Sequence, residues 1–354
     1  MSLTFRTFRN TDPPQILRVW NAGLSGRSAA FLQNCPALEV HVFSKPFFDR
    51  KGLFLAEDNG QVIAFAHAGF GPDSSGLRLD HRLGIICLIV VHPKYQRRGV
   101  GSELLRRCEE YLRGRGASSI HAGCMRPRSP FYWGLYGGCE MPGLLLSDVG
   151  ADFFFQAHGY RLNDTVLVYQ RQVDGPLLIQ DSRFASIKRK YEVRVLPRPI
   201  SPRWYDECTF APLEMLHFQL QEVATGTPLA SVRMWDMDAF AWRWHQPAVG
   251  LIDLEVKPMH RQMGLGKFLM ANVLRYIQEQ FYALIEIQTP IGNTAAQALF
   301  QKLGFRQVDE GRVYAKEKNG TAARPLYEVN EETNFEAISQ QTEMQEWEGV
   351  PVLR

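Results

Sequence analysis

The 354-residue chain has no apolar run long enough to cross a bilayer. The longest, Ile85 to Val91, falls far short of the ~20 residues that a membrane helix needs. Its opening residues, MSLTFRTFRNTDPP, lack the apolar core of a secretory leader, so a soluble, cytoplasmic protein is expected. Cysteine is sparse and unpatterned. The six, at positions 35, 87, 108, 124, 139 and 208, show no CxxC or Cys/His ligand spacing, so neither a metal site nor a disulfide framework is expected. Charge of one sign is also lacking: 40 Lys and Arg against 37 Asp and Glu leave +3, which calls for no nucleic-acid partner. A dinucleotide fingerprint would need glycine where Leu104 and Leu269 stand, and a Walker loop would need Gly and Ser or Thr at Arg261 and Phe268.

What the chain does have is material for two cores. Hydrophobic residues make up 45%, and the length fits two domains at about 150 residues each. It also repeats itself. HPKYQRRGVGSELL aligns with KPMHRQMGLGKFLM at an offset of 165 (93 to 258), placing Pro93 on Pro258, Gly99 on Gly264 and Gly101 on Gly266. The amphipathic stripe that follows repeats too: Leu104, Cys108, Tyr111 and Leu112 answer Leu269, Val273, Tyr276 and Ile277. Strand-like runs, GIICLIVV and GLIDLEV, precede the two prolines, and hairpin-like stretches turning at Asn59-Gly60 and around Gly226 precede those.

A second match, DVGADFFFQAHGY with NTAAQALFQKLGF, sits at an offset of 145 (148 to 293), so the first half carries about 20 extra residues, rich in Gly, Pro and aromatics. Each half reads as an α/β unit: hairpin, strand, Gly turn, helix, strand, helix, final strands. We place the halves at 1–172 and 191–317, with a connection at 173–190 and an acidic, weakly patterned tail at 318–354.

The glycine turn carries the most chemistry. Glycine lets backbone N–H groups approach a ligand closely, and a helix N-terminus favours a phosphate. Two strand–turn–helix copies therefore read as diphosphate cradles. The basic cluster at Arg97, Arg98, Arg106, Arg107, Arg113 and Arg115 fits a phosphate nearby or a solvated helix face equally well.

The pattern V-x-P-x-x-[QR]-x-x-G-x-G, met by Val91 to Gly101 and Val256 to Gly266, resembles the signature of the GNAT acetyltransferase superfamily. Its second motif, N-x-x-A-x-x-L-[YF]-x-x-x-G-F, is similar to Asn293, Ala296, Leu299, Phe300, Gly304 and Phe305; the first half departs from it at Asp148 and Tyr160. The two-copy layout is similar to that of mycothiol-synthase-type tandem members. The resemblance implies two tandem GNAT-like domains, each a central mixed, mostly antiparallel sheet flanked by helices. It also implies acetyl-CoA as co-substrate. The pantetheine arm would pair with Ile89, Val90 and Val91, or with Leu254 and Val256. The diphosphate would rest on the amides of Gln96, Arg97, Arg98, Gly99, Val100, Gly101 and Ser102, or of Arg261, Gln262, Met263, Gly264, Leu265, Gly266 and Lys267. Asn293 and Phe300 belong to the same implied coenzyme site.

Transfer to an amine needs a proton acceptor, an oxyanion donor and a proton for the leaving thiolate. Asp253 and Glu255 alternate with Leu254 and so share a strand face. They are base candidates, or plain exposed positions of a half-buried strand. Leu88 and Val90 stand at the equivalent places in the first half, which points to catalysis in the second. Phe155 and Phe300 occupy the position where family members often carry a donating tyrosine, leaving Tyr314, Tyr282 or water as substitutes. In the insertion, Phe131, Tyr132, Trp133, Tyr136 and Cys139 read as interface packing or as a substrate wall. The expected activity is N-acetylation of a small-molecule or peptide amine by a monomer or homodimer, away from nucleic acid and membrane. The alternative is a non-catalytic acetyl-CoA-binding sensor or scaffold.

Overall fold

The computed structural model describes residues 3–317 and 352–353. In chain order the first half comprises β1 (Leu3–Thr7), α1 (Pro13–Gly23), α2 (Pro36–Leu38), β2 (Leu53–Asp58), β3 (Gln61–Pro72), β4 (Leu79–Val91), α3 (Val100–Gly114), β5 (Ser119–Ala122), β6 (Leu144–Leu145), α4 (Ala151–Ala157) and β7 (Arg161–Gln172). The connection contains α5 (Phe184–Lys190). The second half comprises β8 (Tyr191–Pro197), α6 (Trp204–Phe210), β9 (Met215–Glu222), β10 (Pro228–Asp236), α7 (Asp238–Trp244), β11 (Ala248–Val256), α8 (Leu265–Glu279), β12 (Leu284–Pro290), α9 (Thr294–Lys302) and β13 (Arg306–Glu317). A last short strand, β14 (Val352–Leu353), pairs with β8; the rest of the tail assigned from sequence lies outside the described residues.

The elements form where local chemistry dictates. Asn59 and Gly60 both take positive φ (49° and 79°), as the tight β2–β3 turn requires. In α3, Leu104, Cys108 and Leu112 are buried as the stripe predicts, and Leu269, Val273 and Ile277 are buried in α8. The basic residues of α3 and its end serve the bland reading. Arg106 and Arg107 pair with Glu103 on the helix surface, and Arg115 reaches Asp49 at 2.6 Å.

One continuous sheet joins the halves, in the order β1-β2-β3-β4-β5-β13-β7-β12-β11-β10-β9-β8-β14. Here the structure adds what the repeat did not contain: the final strands are exchanged. β13 from the second half pairs with β5, Tyr314 opposite Ala122, while β7 from the first half pairs with β12, Val168 opposite Gln288. β7 and β13 lie antiparallel to each other at the centre. Two cores fill the outer sides, one under α3 and one under α8. A third, shared core gathers Trp20, Leu88, Val90, Phe131, Trp133, Tyr136, Trp235 and Ile252 from both halves, so the aromatic insertion packs the interface.

Candidate functional site

Each half opens a fork in the sheet beside its glycine turn. β4 and β5 run parallel and pair only from Leu83–Ser119 to Ile86–Ala122; β11 and β12 pair only from Ala248–Leu284 to Leu251–Ile287. Beyond those rungs no strand pairs with the inner edges of Leu88–Val91 and Ile252–Val256 among the described residues. The backbone predicted to hold a pantetheine arm is therefore available in both halves. A bulge marks each divergence: Cys87 is the extra residue in β4, and Asp253, at φ 52°, marks the bulge of β11.

The turns are near copies. Gly99 (φ 79°) and Gly264 (φ 86°) cap helices of fifteen residues each, and two residues earlier Arg97 and Gln262 also take positive φ (60° and 62°). The shared [QR] position has a role unseen in the sequence. Gln96 Nε2 donates to Val91 O at 3.0 Å and Arg261 Nε donates to Val256 O at 3.1 Å, tying each turn back to its strand. The second glycines serve packing: a Cβ on Gly266 would lie 3.2 Å from Val256, and one on Gly101 3.4 Å from Phe154. Val100 and Leu265 are buried, leaving only their amides toward a ligand.

The surroundings of the two cradles differ. A Cβ on Gly99 would meet nothing within 4 Å. Over Gly264 lies the connection: Arg183 would crowd such a Cβ at 2.9 Å, and its Nη1 donates to Gln262 O at 3.3 Å. Lys267, expected to serve a phosphate, donates to Gln180 O (2.8 Å) and pairs with Asp181 at 3.3 Å.

The faces beside the forks differ in the opposite sense. In the first half Leu88 and Val90 are buried in the shared core, and α1 closes on them so tightly that a Cβ on Gly23 would lie 2.5 Å from Val90 Cγ1. In the second half the same face is polar. Leu254 and Val256 pack into the α8 core, as Val249 and Leu251 do, so the alternation slips by one residue at the bulge. Asp253 turns to the other side toward Arg126, and Glu255, between Leu254 and Val256, follows by alternation. Burial and then the nearby Asp253 charge push the Glu255 carboxyl up. Burial would raise Asp253 too, but Arg126 (2.6 Å) and Arg233 outweigh it and hold it near 2. Fixed between two guanidiniums, Asp253 is an anchor and a poor base, which corrects its candidacy.

Other candidates are displaced as well. Phe300 is 2% exposed and packs on the rings of Tyr169 and Phe305, a core residue rather than a lining one. Asn293 spends its side chain capping α9, accepting from Ala296 N at 3.2 Å. The strand exchange carries Tyr314 into the first half, where it stacks on Phe155 and bonds Asp152, so it cannot serve the second fork. Tyr282 is tied to Asp236 at 2.9 Å. Cys139 is fully buried and its thiol is pushed well up, so it is no nucleophile. Sequence reasoning missed Arg126 and Glu140, polar residues of the aromatic insertion: Arg126 reaches Asp253 at the second half's bulge, and Glu140 pairs with Arg126.

Among the described residues no group of His, Cys, Asp and Glu could hold a metal, and no helix is long and apolar enough to cross a membrane. The acetyltransferase (GNAT) family matches residues 24–136 and the FR47-like protein family matches 233–314. N-acetyltransferase family 8 member 3 of Mus musculus is 37% identical over 60 residues; the match spans 17% of this chain and about a quarter (26%) of that relative. Among solved structures, a tandem GNAT protein from the clavulanic acid biosynthesis pathway aligns with TM-score 0.63 at 16% identity, over 89% of this chain and 98% of that one. A GCN5-related N-acetyltransferase from Sphaerobacter thermophilus aligns with TM-score 0.58 at 14% identity, over 89% and 95%. The paired forks and turns agree with these likenesses: residues 24–136 are similar to an acetyltransferase (GNAT) domain and residues 233–314 to an FR47-like domain, in a fold shared with tandem GNAT structures.

Proposed function

We propose that this chain is an acetyl-CoA-dependent N-acetyltransferase that acetylates the amine of a small molecule or peptide at its second fork. The observation that carries this reading is Glu255: a carboxylate with a raised affinity for protons, beside a free strand edge and next to a glycine turn. The residues fit the coenzyme. Amides from Gly264 to Lys267 suit its diphosphate, and the edge from Leu254 to Val256 suits its pantetheine arm. When bound, acetyl-CoA supplies the thioester. Glu255 would accept a proton from the acceptor's ammonium and pass it to solvent; the freed nitrogen would bond the acetyl carbon, the carbon–sulfur bond would break, and the nitrogen's second proton would leave to water. With Phe300 at the position of the absent phenol, solvent returns a proton to the sulfur. In this scheme Asp181 and Arg183 withdraw from Gly264 when the diphosphate arrives. The first half, with an open cradle and a filled acceptor face, holds coenzyme without turning it over.

The test is release of free CoA from acetyl-CoA across a broad amine panel. Glu255→Gln is expected to slow turnover by about 100-fold or more. Should no amine release CoA, and Glu255→Gln change nothing, the reading fails. The second reading is a non-catalytic acetyl-CoA sensor, favoured by the connection lying over Gly264. A CoA-dependent change in oligomeric state without turnover would support it.

A further inference from the structure

The insertion of the first half ends on the fork of the second. Cys139 donates its backbone N–H to Glu286 Oε1 on β12 (2.8 Å), and its carbonyl accepts from Trp235 Nε1 on β10 (3.0 Å). Its sulfur lies 3.8 Å from Leu251 O, on the last rung before β11 and β12 part. Gly250 makes this seat possible, because a Cβ there would fall 2.6 Å from Cys139 Cβ. The next residue, Glu140, thus leaves the chain at the mouth of the fork. Its Oε2 lies 3.3 Å from Arg126 Nη1, and the other arm of that guanidinium donates to Asp253 at 2.6 Å.

Hydrogen-bonding capacity is left over. Asp253 engages both guanidiniums, Arg126 and Arg233, while Glu140 meets Arg126 through Oε2. Glu140 and Arg126 keep about a fifth of their side-chain surface, so the cluster can be reached. Beside it, on β9 and directly opposite Arg233, stands His217. This ring is 3% exposed, yet neither of its nitrogens has a partner. Such atoms are costly to bury unless something bonds them. Burial and then the Arg233 charge hold His217 down at about 4, so it is neutral and offers one donor and one acceptor.

We propose that Glu140 and His217 form the acceptor-binding site of the second fork, selecting a cationic primary amine that carries a second polar group. This rests on the acetyltransferase reading for its catalytic meaning, but the site itself does not. Glu140 receives the ammonium, His217 bonds the second polar group, and Glu255 remains the proton acceptor. The acceptor site is thereby built by both halves. The charged groups that act on Glu140 are Arg126 on the insertion, Asp253 on β11 and Arg233 on β10; the neutral His217 on β9 stands opposite Arg233. Burial, against the pull of Arg126, pushes the Glu140 carboxyl up to about 7. An ammonium beside it favours the ionised form, so amine binding at neutral pH releases a proton.

The experiment is calorimetric titration of the full chain with n-butylamine, 4-amino-1-butanol and 1,4-diaminobutane at pH 7, in two buffers of different ionisation enthalpy. We expect the amino alcohol and the diamine to bind more tightly than n-butylamine, with release of a fraction of a proton. Glu140→Gln is expected to abolish that release and weaken binding about tenfold. Glu140→Asp should retain part of both, which separates the role from misfolding. His217→Phe should remove the preference over n-butylamine. Glu255→Gln should leave proton release in place. Equal binding of all three amines by wild type and Glu140→Gln, or no binding of any, would overturn the proposal. If CoA release on some amine persists in that case, the acetyltransferase reading survives without this site. Proton-releasing binding with no turnover on any amine would leave the site standing and remove that reading.

Discussion

Gly99 and Gly264 show how one residue in two settings is put to different use. Both sit in the left-handed region before a helix, but only Gly264 has a guanidinium over it. Gly99→Glu and Gly264→Glu each place a bulky anion in one cradle. Titration with acetyl-CoA is expected to show two binding events in wild type and the loss of one in each variant. Asp253 gives a prediction with a pH sign. Its folded value is depressed, near 2 against an ordinary value of about 3.9. Its contribution to stability is therefore complete above pH ~4 and lost as pH falls toward 2. Asp253→Asn is expected to cost roughly 1–3 kcal/mol at pH 7 in urea unfolding, and the gap from wild type should narrow below pH 4. A gap that stays constant down to pH 2 would mean that the two guanidiniums do not act on this carboxyl.

At the scale of elements, the turns and their helices were legible because their signals are local. Proline and glycine punctuate the chain, and the stripe from Leu104 to Leu112 follows the helical period. The alternation along β11 was less legible: it slips by one residue at the Asp253 bulge, which puts Val249 and Leu251 on the same side as Leu254 and Val256. Arg126 and Glu140 were not legible. In sequence they are two polar residues of a loop, and only the surplus length of that loop hinted at a role. The connection over Gly264 was equally hidden, since nothing in Gln180, Asp181 and Arg183 announces a distant turn as their partner. Its effect can be measured. In a Gly99→Glu background, Asp181→Ala is expected to raise acetyl-CoA affinity about two- to five-fold, because the ion pair to Lys267 no longer competes. An unchanged or weakened affinity would show that the connection helps hold the coenzyme instead.

At the scale of the whole molecule, the repeat revealed two units but not the exchange of their last strands. A strand's sequence encodes its pleat and its buried face; which edge it joins is decided by long-range packing. With β13 on β5 and β7 on β12, neither unit has a complete sheet of its own. Residues 1–172 and 191–317 expressed separately are therefore expected to be insoluble or molten. Co-expressed, they should purify together with one cooperative melting transition. Two soluble, independently melting fragments would contradict this.

The exchange also sets a timetable for synthesis. β5 ends at Ala122, but the strand that covers its open edge begins at Arg306. At about 5–20 residues per second, roughly ten to forty seconds pass before that partner leaves the ribosome. Throughout that interval the nascent first half presents an unpaired, apolar strand edge, the kind of surface that chaperones hold and that aggregates when they do not. Expression yield should therefore depend on chaperone supply and on translation speed between positions 122 and 306 more than on any stability measured in the finished protein.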